Sequence, residues 1–291
     1  MAIQTFLLDS EFWLLSSFSY PPMPSPRIAL LGAGNLASAI VRGLLKAKAC
    51  APADLASTSK GGASARKLAA ESGITSEPDL ARLLSPADIV VVAFKPQSLA
   101  TADPRLAELT AGKLVLSVLA GKKLARLAQV FPRARNLVRA MPNTPAAIGA
   151  GITPWCSARP LASADLQSVG KILGALGQHL PLAEEHLDAV TALSAGGPAF
   201  LFEFVAALRD GGVAAGLPRD TAHRLAVETV LGSARLLAQT GGEPEALRDQ
   251  VVSPNGTTHA GLQVMAAHRF RDTLRDTVLA ATKRAAELSK D

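Results

Sequence analysis

Arg27-Ile28-Ala29-Leu30-Leu31-Gly32-Ala33-Gly34-Asn35-Leu36-Ala37 is the stretch that decides the fold. A short apolar run leads directly into G-x-G-x-x-A and then into the amphipathic segment Leu36–Lys48, so the order is strand, glycine turn, helix. The first glycine permits a tight turn, the second lets backbone approach a pyrophosphate, and the small Ala37 lets the helix lie on the strand. The helix N-terminus then offers unpaired amides and the positive end of a dipole to that anion. A glycine-rich turn alone has many uses. Its place between a strand and a helix makes Gly32, Gly34, Asn35 and Leu36 candidate dinucleotide contacts.

Outward from this stretch, short apolar runs alternate with longer amphipathic ones. Leu55-Ala56-Ser57, Asp88–Phe94, Lys113–Leu119 and Asn136–Ala140 read as strands, and Ala63–Ser72 as a helix stopped by Gly73. The run Ile89-Val90-Val91-Val92 is β-branched throughout, as in strands buried on both faces. The alternation predicts a doubly wound, Rossmann-type α/β sheet with right-handed crossovers over residues 27–160. After about Arg159 the only strand expected is Gln178–Leu182. Helices are expected at Glu184–Ala195, Pro198–Ala214, Pro218–Gln239, Glu245–Val251, Thr258–Ala267 and Phe270–Ser289, giving an all-α unit over residues 161–291. Phe200–Leu208 is apolar on nearly every side, so it needs cover from more than one layer, and a dimer interface is expected there.

Hydrophobic residues make up 48% of the 291, yet aromatics only 4%, so Ala, Leu and Val carry the packing. The net charge of +6 invites a polyanion, but Lys and Arg are scattered and no nucleic-acid reader motif accompanies them. A solvated basic surface is expected instead, with no nucleic-acid partner. Cys50 and Cys156 make neither a disulfide framework nor a metal cluster and fit a reducing, cytoplasmic compartment. No continuous apolar stretch reaches the ~18 residues of a membrane span, so no membrane association is expected. Met1–Tyr20 is mildly apolar but broken by Asp9 and Glu11, with no preceding Lys or Arg, which makes a poor secretory signal. Pro21-Pro22-Met23-Pro24-Ser25-Pro26 reads as an extended connector. Residues 1–26 are therefore expected to be a disordered extension, with Met23 as the natural start.

The second strand bears on the choice of cofactor. NAD sites place Asp or Glu near its end, ~20 residues beyond the glycines, to hold the ribose hydroxyls. Here that end is Ala56-Ser57-Thr58-Ser59-Lys60, and Asp54 lies too early. The hydroxyls of Ser57 and Ser59 with Lys60 suit a 2′-phosphate, so NADPH is expected, with NADH as the alternative. Ala93-Phe94-Lys95-Pro96-Gln97 ends a buried strand, where Lys95 is either a catalytic amine or, with Pro96, a cofactor contact. Met141-Pro142-Asn143-Thr144-Pro145 ends the last parallel strand and holds Asn143 between two stiff prolines. Ser253-Pro254-Asn255-Gly256-Thr257-Thr258 precedes a helix. It is either a carboxylate-binding helix N-terminus or a simple N-cap with a spare threonine.

Together these segments resemble the pyrroline-5-carboxylate reductase family. The resemblance rests on the Gly32–Leu36 loop, the Ala93–Gln97 strand end, Met141–Pro145, Asp188-Ala189-Val190-Thr191-Ala192-Leu193-Ser194-Ala195-Gly196-Gly197-Pro198-Ala199-Phe200, Ala215–Arg219 and Leu247–Thr258. It runs from Arg27 to about Leu288. It implies reduction of 1-pyrroline-5-carboxylate to L-proline, the last step of proline biosynthesis, by hydride from NAD(P)H. It further implies helical domains interleaved into a homodimer, dimers assembling into larger rings, and a Ser253–Thr258 loop that serves largely the partner's cofactor. By the same analogy Ser253, Asn255, Gly256 and Thr257 help hold the substrate carboxylate, and Thr258 faces the ring nitrogen as the catalytic residue.

The chemistry agrees with an otherwise odd absence. A cyclic imine can arrive already protonated, so no strong protein acid is obligatory. None of the five histidines sits in a pattern with an acid–base partner, and orientation of two reactants becomes the main task. No metal is expected. The chain departs from the family at Gly196 and Phe200, which lose a serine and a tyrosine hydroxyl, at Asn255 in a glycine position, and at His259 beside Thr258. Those departures leave open a different cyclic imino acid, such as the six-membered homologue, or a nucleotide-binding interaction protein without turnover.

Overall fold

Strands that are apolar on both faces need helices on both sides, and the chain supplies them. The structure, a computed structural model, describes residues 26–289. The expectations for residues 1–25, including a start at Met23, lie outside the described residues. Eight strands make one sheet in the order β3-β2-β1-β4-β5-β6-β7-β8. They are β1 (Ile28–Leu31), β2 (Leu55–Thr58), β3 (Thr75–Ser76), β4 (Ile89–Val92), β5 (Leu114–Ser117), β6 (Asn136–Ala140), β7 (Gly151–Ser157) and β8 (Gly177–Pro181). All neighbours run parallel except β6 and β7, which are antiparallel.

The covering helices are α1 (Asn35–Lys46), α2 (Ala63–Ser72), α3 (Leu80–Leu84), α4 (Leu106–Leu109), α5 (Leu124–Val130) and α6 (Ser163–Gly174). Alternate strand residues sort between two cores. Ile28, Leu30, Ile89, Val91, Leu114 and Leu116 meet Ile40 and Leu44 of α1, Leu68 of α2 and Ile172 of α6. Ala29, Leu31, Val90, Val92 and Val115 meet Leu83 of α3, Leu106 of α4 and Leu127 of α5 on the other face. Each strand thus shows a period of two that its sequence hides, because both faces are buried.

The sheet does not stop at residue 160, as the sequence suggested. β7 pairs antiparallel with β6 through Val138–Ser157, Arg139–Cys156 and Ala140–Trp155, and β8 then adds in parallel to β7. Gly151 and Pro154 hid β7 in the sequence, since glycine weakens a strand and proline cannot donate to its ladder. α6 lies against α1 over the same core. The sheet layer therefore reaches Pro181, and the helical unit starts near Glu184.

The segment expected as one helix, Glu184–Ala195, breaks into a 3₁₀ turn (Glu184–His186), α7 (Leu187–Val190) and a π turn (Thr191–Ala195). Gly196 donates its N–H to the Thr191 carbonyl five residues back, and Pro198 opens the next helix where a missing N–H costs nothing. There follow α8 (Gly197–Ala214), α9 (Arg219–Thr240), α10 (Pro244–Gln250), α11 (Thr257–Ala267) and α12 (Phe270–Leu288). Here one sequence expectation is corrected. The helical run Glu184–Ala214 is long and apolar enough to cross a membrane by length and composition. Its surroundings give another use for that character. α8 buries no residue in its own chain, and Phe202, Leu225, Leu236, Val264 and Leu279 on α8, α9, α11 and α12 are all exposed. Apolar area of this extent, spread over neighbouring helices, is an association surface.

A buried ionic joint ties the two units together. Arg139 on β6 is 2% exposed; its Nη1 donates to Glu184 Oε1 at 3.0 Å, and its Nη2 lies 3.6 Å from Asp188 Oδ1. Glu184 also accepts the Leu124 N–H at 2.7 Å, and Asp188 accepts the Ser289 hydroxyl at 2.8 Å. Removing Glu184 leaves the buried Arg139 with Asp188 alone at 3.6 Å, which costs about 1.5–3 kcal/mol, the worth of a hydrogen bond to a charged group. Glu184→Ala is accordingly expected to lower the urea midpoint by that equivalent, whereas Glu185→Ala, on an exposed side chain, leaves it unchanged.

Candidate active site

The carboxyl ends of β1 and β4 mark the point where the strand order reverses, and sheets of this kind bind ligands in that crevice. Gly32 follows β1 at φ 121°, and a Cβ there would lie 2.6 Å from the Ala93 carbonyl carbon and oxygen. The turns after β1 and β4 therefore touch through a glycine, and the Gly32 N–H joins the Thr58 carbonyl at 3.0 Å, which draws in the end of β2. Gly32→Ala is expected to cost about 2 kcal/mol or more of stability from strained φ and overlap with backbone, and to abolish dinucleotide binding, as read by urea unfolding and calorimetry. Gly34 is different. It is exposed, a Cβ on it would meet nothing within 4 Å, and no side chain caps α1 behind it. Open space over a helix N-terminus with free amides is what a pyrophosphate requires, so Gly34, Asn35 and Leu36 fit the dinucleotide.

The remaining candidates divide. Ser59 is half-buried and its Oγ accepts the Ala65 N–H at 3.1 Å, while Lys60 is exposed. Ser57 is corrected: its side chain is 0% exposed on the core side of β2, with a hydroxyl that finds no partner, so it faces no ligand. The alternation of the strand turns it inward while Thr58 turns out. Lys95 is exposed at the end of the β4 turn and Pro96 begins a short 3₁₀ segment. Asn143 follows β6, its Oδ1 accepting the Ile152 N–H at 3.0 Å; the segment after it, Thr144–Ile148, packs on α1. The loops after β1, β2, β4 and β6 thus gather at one edge of the sheet.

Ser253–Thr258 lies on the helical unit, between α10 and α11. Ser253, Asn255, Thr257 and Thr258 are exposed, and the loop's backbone hydrogen bonds stay with its own flanking helices. Asn255 takes φ 58°, the left-handed conformation that asparagine tolerates better than most residues. Gly256 is the N-cap of α11, without a side-chain cap, and a Cβ on it would lie 2.2 Å from Ser253 Oγ. The loop keeps its glycine shape with Asn255 in place; the Gly256 N–H closes onto the Ser253 carbonyl at 3.0 Å, and the amides of Thr257 and Thr258 are left at an uncapped helix N-terminus. His259 is half-buried, its Nε2 3.3 Å from Gln263 Nε2.

Two features escaped the sequence. The Ser194 hydroxyl is buried in the π turn without a partner, a geometry that only a helix distortion reveals. Burial also pushes the Cys156 thiol up to about 11, with Glu184 adding to the effect. Cys156 is thus an inert thiol, not a nucleophile.

Comparison with known proteins follows the same division. Residues 184–288 match the family described as pyrroline-5-carboxylate reductase dimerisation, and residues 27–121 match NADP oxidoreductase coenzyme F420-dependent. A pyrroline-5-carboxylate reductase of Synechocystis is 38% identical over 91% of this chain and 99% of its own. The pyrroline-5-carboxylate reductase structure from Coxiella burnetii is 30% identical with a TM-score of 0.85, covering 92% of this chain and 100% of that one. The Plasmodium falciparum pyrroline carboxylate reductase, solved with NADP bound, is 26% identical with a TM-score of 0.80 over 92% of this chain and 99% of that one. With its glycine turn, its helical dimerisation unit and relatives matched nearly end to end, the chain belongs to the pyrroline-5-carboxylate reductase family.

Proposed function

We propose that this chain performs the reaction of its family, the NADPH-dependent reduction of 1-pyrroline-5-carboxylate to L-proline, at a site completed by a second subunit. The single observation that carries this reading is the open N-terminus of α11. Thr257 and Thr258 are exposed there beside Asn255, on the helical unit rather than on the sheet layer that carries the dinucleotide turn. NADPH, when bound, supplies the hydride. Gly34 and the first amides of α1 would hold its pyrophosphate, Lys60 and Ser59 would meet the 2′-phosphate, and Lys95, Pro96 and Asn143 would contact the nicotinamide half. The amides of Thr257 and Thr258 receive the substrate carboxylate with help from the α11 dipole, while the Gly256 N–H stays on the Ser253 carbonyl and shapes the loop. Ser253 and Asn255 fix that loop. The Thr258 hydroxyl orients the ring nitrogen and relays to it, from water, the proton that the reduction adds there.

The exposed apolar faces of α8, α9, α11 and α12 close the homodimer, and further contacts of such dimers build a ring. The scattered basic charge serves solubility rather than nucleic acid, the apolar run at Glu184–Ala214 serves the subunit interface rather than a membrane, and the place of work is the cytoplasm. Functionally, the cofactor unit runs to Leu182 and the dimerisation unit from Glu184 onward. Loss of NADPH absorbance with pyrroline-5-carboxylate and with its six-membered homologue tests the reading. Faster turnover of the five-membered ring is expected. Preference for the larger ring would reassign the substrate, and binding of NADPH without turnover of either would leave only an interaction protein.

A further inference from the structure

The loop that ends β2 carries Lys60 and no carboxylate, and the first turn of α2 after it adds Arg66. α2 has no acidic residue in its first turn, and its only one, Glu71, is taken by Arg42 and Lys67. Lys60 and Arg66 form no ion pair among the described residues. Side chains in a helix lean toward its N-terminus, and Arg66 follows that lean back across Gly62. A Cβ on Gly62 would lie only 2.5 Å from Arg66 Nη1. Gly61 and Gly62 both take φ 75°, the Gly62 N–H closes onto the Ser59 carbonyl at 2.9 Å, and the Arg66 N–H returns to the Gly62 carbonyl at 3.0 Å. The guanidinium is thus seated over a loop whose bare glycine makes the room. The Thr58–Gly32 hydrogen bond ties this loop to the dinucleotide turn, so the adenosine ribose of a dinucleotide on α1 comes to rest beside it.

We propose that Arg66, seated over Gly62, is the residue that selects the 2′-phosphate of the cofactor, with Lys60 and the Ser59 hydroxyl at its side. Guanidinium suits this task better than ammonium, because its planar fork meets two phosphate oxygens at once. Ser59 spends its oxygen on Ala65, which leaves the hydroxyl proton to donate. The assignment rests on the NADPH reading above, and its test reads binding rather than turnover.

Calorimetric titration of the full chain with NADP⁺ and with NAD⁺ separates the two halves of the claim. Arg66→Gln is expected to weaken NADP⁺ binding roughly 10- to 100-fold, the usual worth of hydrogen bonds to a charged group, and to leave NAD⁺ affinity unchanged. Arg66→Lys restores part of the loss. Gly62→Asn, which keeps the left-handed backbone but fills the seat, weakens NADP⁺ selectively as well. Unchanged NADP⁺ affinity in Arg66→Gln, or equal weakening of both nucleotides, overturns the assignment. Failure of the unaltered protein to bind either nucleotide would instead overturn the dinucleotide reading itself.

Discussion

The Thr258→Ala protein is expected to bind NADPH as the unaltered protein does and to turn over on the order of 10²-fold more slowly, the usual range for a proton-handling side chain. Thr258 is the second residue of α11, exposed, with no side-chain partner of its own to lose. Its removal therefore leaves the fold intact, and the defect falls on kcat. Thr258→Ser, which keeps the hydroxyl, should recover most of the rate, whereas Thr258→Val, which keeps the shape, should not. The comparison of Ser with Val in stopped-flow NADPH oxidation isolates the hydroxyl. Full turnover by the alanine or valine variant would remove Thr258 from the chemistry and leave it a helix-start residue.

The second large effect is expected at the subunit interface. Phe202 on α8 is 65% exposed in the single chain, and Leu225 on α9 is 52% exposed. Phe202→Asp places a charge on this surface, and two-fold symmetry places it twice in the dimer. Burial of an unpaired charge costs several kcal/mol, so sedimentation should show monomers at micromolar concentration. Phe202 lies on the helical unit, so the sheet cores and the Gly32–Leu36 turn are untouched and NADP⁺ should still bind. Activity should fall to background if, as proposed, each site takes its Thr258 from a second subunit. Retained activity in a proven monomer would show that one chain carries the whole site.

The parts legible in the sequence were those where a local signal and the tertiary structure agree. β1, the glycine turn and the start of α1 are written in eleven consecutive residues, Arg27–Ala37, and the structure adds only that Gly32 must be glycine because Ala93 backbone leaves no room. α2 ends at Gly73 in the left-handed conformation that its position suggested. β7 was not legible, since Gly151 and Pro154 erase its local strand character while β6 and β8 hold it from either side. Without a local signal for β7, the sequence places the boundary between the units at residue 160, ahead of the strands that extend the sheet to Pro181. The broken helix before Gly196 was also invisible, because a π turn inserts a single residue and leaves no residue-type signature of its own.

The candidate site divides in the same way. Gly34, Asn35 and Leu36 follow from one motif, whereas Ser57 looked like a ligand because composition does not say which face of a strand a hydroxyl takes. Its burial turns on a one-residue register. Arg66 carried no sequence signal, because its relevance depends on an empty position four residues earlier, over which its guanidinium folds. The Ser253–Thr258 loop was legible through its resemblance to a family, and its physical content, an uncapped helix start with Asn255 in the left-handed region, emerges only from the backbone.

That loop and the Gly32–Leu36 turn belong, on this account, to different subunits of each working site, and subunit complementation tests this most directly. Gly34→Asp sets a carboxylate against the pyrophosphate in open space, where a new side chain meets nothing, so this variant folds but loses cofactor. Thr258→Ala keeps cofactor but loses turnover. Co-expressed, the two inactive chains assemble at random into about half mixed dimers, each with one fully intact site of two, so activity returns to about a quarter of the unaltered level. Activity no greater than the sum of the two separate variants, in preparations shown to contain the mixed dimer, would contradict the shared site and place both loops in one chain.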